Sequence, residues 1–246
     1  LYGTYWAVMS IPWAWDVLEI GQIDTIKLPI WFRLLGCFQR GRRLKPTRQG
    51  HRYLEKTLSF IGCCLTTRDN YQAFADTIGG QPTITASDGA IQLLDSCGVW
   101  DWKMPPKNVD IPQDLSNPVA ISVKLVDFIT ACGKDGSLGF ANHPGEQSPQ
   151  SDVTRYCFRT LATLRRILQD RAPTHKENPD RQEALRKIDS ILEKRDDVAK
   201  FLQACKKDSG FAKFKNEKPS IMYTDIALRC LWENLYPKDA KKMEEL

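Results

Sequence analysis

Little in this sequence marks an enzyme or a membrane span. Its three histidines, His51, His143 and His175, each stand alone in their segments, so none meets the i, i+4 spacing of a helical metal site. No Cys-x-x-Cys pair occurs among Cys37, Cys63, Cys64, Cys97, Cys132, Cys157, Cys205 and Cys230, which argues against a structural zinc site. Gly133-Lys134-Asp135-Gly136-Ser137-Leu138-Gly139 is rich in glycine but lacks the spacing of a phosphate-binding P-loop. The acidic pairs Asp196-Asp197 and Glu244-Glu245 are sequence neighbours, and adjacent residues do not share a helical face. The first charged residue is Asp16, and Pro12 interrupts the uncharged run before it. That run is shorter than the roughly 20 residues a bilayer span requires. There is no internal repeat and no alternating strand pattern. No catalytic residue, cofactor or metal is assigned on these grounds.

The composition itself is ordinary. Of 246 residues, 42% are hydrophobic and 26% charged, with 15 Gly and 14 Pro, so a collagen-like or wholly disordered chain is excluded. Cysteines spread so widely, mostly among apolar neighbours, read as buried free thiols. They point to an intracellular, reducing compartment. The chain begins with Leu1 and not Met, which leaves a removed presequence, and with it an organelle such as the mitochondrion, open.

What is abundant is helical periodicity. The expected fold is all-α, an irregular bundle of roughly 8–10 helices with an apolar N-terminal arm. Short helices are expected at 11–20 and 25–38. Helix 50–65 carries Tyr53, Thr57, Ile61 and Leu65 at i, i+4 spacing. Thr66 and Thr67 are read as caps of a helix through Tyr71, Phe74 and Ile78, stopped by Gly79-Gly80. Ser87 is expected to cap the next helix, which ends near Gly98. After a loop at 99–115, Asn117-Pro118 opens a helix with Val119, Val123, Val126 and Ile129 inward. Helix 150–171 repeats Val153, Cys157, Leu161, Leu164 and Leu168. Asn178-Pro179 is a cap and first-turn pair, followed by Val198, Phe201, Leu202 and Cys205. A last helix from Ser220 is expected to turn Met222, Ile226, Cys230 and Leu235 inward. Four parts follow: an arm and connector at 1–49, a helical subdomain at 50–132, a Gly/Pro-rich surface loop at 133–149, and a charged helical subdomain at 150–246.

The net charge of +5 conceals a pattern. Residues 1–56 and 150–246 are basic, while 57–149 are acidic, an asymmetry that bears on partners. The steepest contrast lies where the Trp-rich start meets a basic run. Trp13, Trp15, Trp31, Phe32, Leu35 and Phe38 are the candidate membrane or partner contacts, and Arg40, Arg42, Arg43, Lys45, Arg48 and Arg52 the candidate contacts to an anionic partner. A second mixture, Lys213, Lys215 and Lys218 with Phe211 and Phe214, interleaves basic and aromatic residues as a nucleic-acid surface does.

The chain is therefore expected to be a non-enzymatic helical interaction or scaffold protein, an accessory subunit of a larger assembly. Docking to protein partners or to an anionic membrane surface would run through residues 1–48. An RNA- or DNA-associated protein using segment 33–56 is the alternative. An enzyme with His143 as base in loop 133–150 is the weakest reading.

Overall fold

The computed structural model describes residues 48–68, 70–100, 110–133, 139–170, 178–208 and 210–236, with side chains from Glu55 onward. The arm, the helices expected at 11–20 and 25–38, and most of the basic connector lie outside the described residues. The described chain is mostly helical, with two small two-stranded sheets.

Helix α1 (Arg48–Cys64) forms where a helix is expected and buries Leu58, Ile61 and Cys64; of the expected stripe Ile61 is buried, Thr57 is half-buried and Leu65 already belongs to the next strand. The helix expected next is instead an antiparallel hairpin, β1 (Leu65–Arg68) with β2 (Tyr71–Phe74), in the register Leu65↔Phe74 and Arg68↔Tyr71. Thr66, Thr67, Tyr71 and Phe74 are strand formers, and the sequence between the strands is Asp69-Asn70. Those are turn residues suited to a two-residue hairpin loop. The spacing of Tyr71, Phe74 and Ile78 imitated a helix, yet Ile78 is exposed.

Helix α2 (Ile84–Ser96) begins at Thr83, whose hydroxyl accepts from the Ala86 amide. Ser87 is therefore not its cap. It lies buried in the first turn and accepts from the Phe74 amide at 3.0 Å, which ties the hairpin to the helix. Gly98, at φ 67°, follows the end of α2. In the loop beyond, Trp100 is buried and donates through Nε1 to the Leu115 carbonyl at 2.7 Å. Leu115 belongs to the short helix α3 (Gln113–Ser116).

Helix α4 (Pro118–Cys132) starts as expected: the Asn117 side chain accepts from the Val119 and Ala120 amides. Segment 139–150 runs as a loop, and part of it is packed into the fold. Phe140, Ala141 and Gln150 are buried, and the Asn142 side chain accepts from the Thr85 amide and hydroxyl, both at 3.0 Å. A loop residue thus closes the start of a helix distant in sequence.

Helix α5 (Ser151–Gln169) is the hub. It buries Val153, Cys157, Leu161, Leu164 and Leu168 and packs against α2, α4, α6 (Pro179–Leu192) and the last helix. Asn178 caps α6 through the Asp180 and Arg181 amides, and Arg181 donates from Nε to the Leu168 carbonyl at 2.7 Å near the end of α5. Helix α7 (Arg195–Ala204) leads into a second small hairpin, β3 (Lys206–Lys207) with β4 (Gly210–Phe211). Helix α8 (Ile221–Arg229) runs directly into a π-helical turn at Cys230–Leu235. There the Tyr236 amide donates to the Leu231 carbonyl, five residues back, at 2.8 Å.

The basic and acidic blocks meet inside this packing. Asp88 of α2, fully buried, is held by Arg159 and Thr160 of α5. Asp95 pairs with Arg166 at 2.6 Å and Asp127 with Lys187 at 2.6 Å. Three carboxylates of the acidic middle are thereby neutralised by three cations of the C-terminal half.

Candidate functional site

Among the residues singled out from sequence, Trp13, Trp15, Trp31, Phe32, Leu35, Phe38, Arg40, Arg42, Arg43 and Lys45 lie outside the described residues. Arg48 and Arg52 fall in α1 without described side chains. His143 is half-buried in a turn closed by the Glu146 amide on its carbonyl. Among the described residues no group of His, Cys, Asp or Glu side chains could hold a metal ion. No described helix is long and apolar enough to cross a membrane.

The surface that stands out is on α8 and its π-helical extension. Ser220 starts the helix by accepting from the Tyr223 amide. One side packs inward through Ile226, Ala227, Cys230, Leu231 and Leu235. Met222, expected on that side, is exposed instead. With it Ile221 is 91% exposed, Leu228 44% and Trp232 41%. Ile221, Leu228 and Trp232 are spaced by seven and four residues, so they line one side of the helix over about 16 Å. Sequence reasoning overlooked this ridge, although the signal was present: the segment is apolar on two sides, and one packed side cannot absorb both.

The edges of the ridge are charged. Arg229 donates from Nε to the Asp225 carboxylate at 2.9 Å, and its Nη1 lies 3.9 Å from Glu233. Arg155 of α5, only 9% exposed, reaches Glu233 with Nη2 at 3.5 Å, and its Nε has no partner among the described residues. Asp225 and Glu233 are thus both compensated by arginines.

At the start of α8 the balance differs. Strand β4 is bound to the first turn: the Phe211 amide donates to Thr224 Oγ1 at 2.8 Å, and the Ser220 amide to the Phe211 carbonyl at 3.0 Å. Gly210 permits this approach, since a Cβ there would stand 2.7 Å from Thr224 Oγ1 and 3.1 Å from Pro219. Segment 206–218 carries Lys206, Lys207, Lys213, Lys215 and Lys218 against Asp208 and Glu217. Lys207, Lys215 and Lys218 are exposed and form no ion pair with a described residue. The interleaved aromatic set is not available for stacking: Phe211 is buried, and Phe214 is half-buried with the Lys213 ammonium 5.3 Å from its ring.

No family model matches the chain, and no curated protein matches it in sequence. Among solved structures it is similar to Candida albicans protein geranylgeranyltransferase-I complexed with GGPP. That match has 14% identity over 91% of this chain and 90% of that chain, with a TM-score of 0.22. A TM-score of that size carries neither fold nor activity over to this chain.

Proposed function

We propose that the protein is a non-enzymatic helical interaction subunit of a larger assembly, and that it docks a protein partner on the outer side of its last helix. The observation that supports this reading is the ridge of Ile221, Leu228 and Trp232, exposed on a helix that packs inward through Ile226 and Ala227. Contiguous exposed apolar side chains on a surface otherwise rich in charge mark contact sites, and an amphipathic helix is a common way to fill one. The N-terminal arm, residues 1–48, is proposed as a second contact, to a partner or to an anionic membrane surface.

The test is cross-linking of the immobilised full chain in native extract, beside a variant carrying Leu228→Ser and Trp232→Ser. Both positions are exposed, so the variant should melt within about 1 kcal/mol of the parent. A defined set of proteins retained by the parent and lost by the folded variant is the expected result. Identical sets from the two proteins would remove the reading.

A further inference from the structure

We infer that the partner of the α8 ridge is an acidic amphipathic helix, recognised by its apolar stripe along Ile221, Leu228 and Trp232 and by its carboxylates on the lysines at the start of α8. This rests on the docking role proposed for the same face. The shape argument is the period: a ridge with seven- and four-residue spacing fits the groove between side-chain rows of another helix. The charge argument is local. The acids nearest the helix packing are already paired: Asp88, Asp95 and Asp127 with α5 and α6, and, on α8 and its π-helical turn, Asp225 and Glu233 with Arg229 and Arg155. What the start of α8 adds is net cationic: segment 206–218 carries five lysines against Asp208 and Glu217, and Lys207, Lys215 and Lys218 are exposed and without an ion pair among the described residues. Complementary charge on a partner selects it and speeds its encounter.

Two other occupants fit the same surface less well. A lipid surface would have to take in Asp225, which shares the ridge between Ile221 and Leu228 and whose side chain is 57% exposed. A nucleic acid would find lysines, but Phe211 is buried and Phe214 is covered by Lys213, so base stacking has no platform.

The experiment is a displayed library of amphipathic helices, about 18 residues long so that a helical turn or two can fray, sharing one apolar face and ranging from net acidic to net basic. It is panned against the full chain. The expected winners are acidic. Their affinity should fall about tenfold with Lys215→Glu plus Lys218→Glu, fall with added salt, and vanish with Leu228→Ser plus Trp232→Ser. Winners that are neutral or basic, or no enrichment at all, overturn the inference while the docking reading stands on its own extract experiment. Winners that still bind the Leu228→Ser, Trp232→Ser protein overturn the inference, because they sit elsewhere. Phosphatidylserine vesicles, single-stranded RNA and sedimentation of the chain alone complete the set. Vesicle binding, RNA binding or self-association that the same two substitutions abolish, with no acidic helix competing, would also overturn it.

Discussion

Asp88 shows how one side chain organises two helices. Its carboxylate has no solvent contact and accepts from Arg159 Nε at 3.0 Å, from Arg159 Nη2, from Thr160 Oγ1 at 3.2 Å and from Gln92 Nε2 at 3.4 Å. Burial pushes the carboxyl up from its ordinary value, and the Arg159 guanidinium and Thr160 hydroxyl pull it back. Replacement of one member strands the other, so Asp88→Ala is expected to lower unfolding free energy by about 3–5 kcal/mol in urea titrations. A loss under about 1 kcal/mol would mean that Arg159 finds other partners at no cost. The cysteines give a second prediction at this scale. Cys63 is exposed, whereas burial pushes the Cys97 and Cys230 thiols up to about 12 and Cys205 up to about 11. A thiol that ionises late in the folded state and from 9.0 in the unfolded state favours folding fully below pH 9. That contribution is lost as pH rises toward 11 and 12. Melting temperature should therefore decline above pH 9, less steeply in Cys97→Ala, where an unchanged slope would refute the assignment. Alkylation mapped by mass spectrometry at neutral pH should label Cys63 in the native protein and leave Cys157, Cys205 and Cys230 untouched until it unfolds.

Elements begin where local chemistry is strong, and those beginnings were legible. Asn117-Pro118 and Asn178-Pro179 each supply a side-chain acceptor and a residue with no amide to satisfy, and both open helices at those positions. Asn117→Ala should cost about 1 kcal/mol by thermal or chemical melting, since two amides of α4 lose their acceptor. The stripe Val153, Cys157, Leu161, Leu164 and Leu168 was equally plain, and α5 buries all of it. Where the reading failed, the deciding contact was distant in sequence. Nothing near Ser87 shows that its hydroxyl is spoken for by the Phe74 amide, leaving Thr83 to start α2. Nothing within segment 139–150 shows that Asn142 closes that same helix start. The hairpin at 65–74 was missed because three apolar positions matched a helical period that two adjacent threonines contradicted. The candidate ridge on α8 was hidden for a similar reason: Met222 was assigned inward by spacing alone, and only the packing decides which of two apolar sides is covered. Close packing also makes a prediction outside the helices. A Cβ at Gly139 would stand 2.6 Å from the Phe201 ring, so Gly139→Ala should destabilise by about 1–3 kcal/mol, read as a lower urea midpoint.

For the whole molecule, the basic–acidic–basic charge pattern acquires a division of labour. The acidic middle and basic C-terminal half bind one another across α2, α4, α5 and α6, which turns a sequence asymmetry into internal cohesion. Among the described residues, Lys207, Lys215 and Lys218 at the start of α8 keep their charge without an ion pair. Stability should therefore fall with salt only weakly, because the buried Asp88 pair is poorly screened, whereas partner capture should fall steeply. Deletion of residues 1–38 is expected to leave the melting transition of the helical fold in place while reducing partner retention or flotation with anionic vesicles. Retention and flotation both unchanged would assign the arm no contact role. The π-helical turn at Cys230–Leu235 carries one more consequence. Such a turn is an α-helical turn with a single extra residue spliced in, so the spacing between Trp232 outside and Tyr236 inside depends on that splice. Tyr236 holds the Asp196 carboxylate through its hydroxyl at 2.5 Å. Excision of Asn234 alone would restore regular winding and swing Tyr236 by roughly a quarter turn about the helix axis, uncoupling the outer ridge from the start of α7. One codon's worth of length thus sets the alignment between the proposed docking surface and the body that carries it.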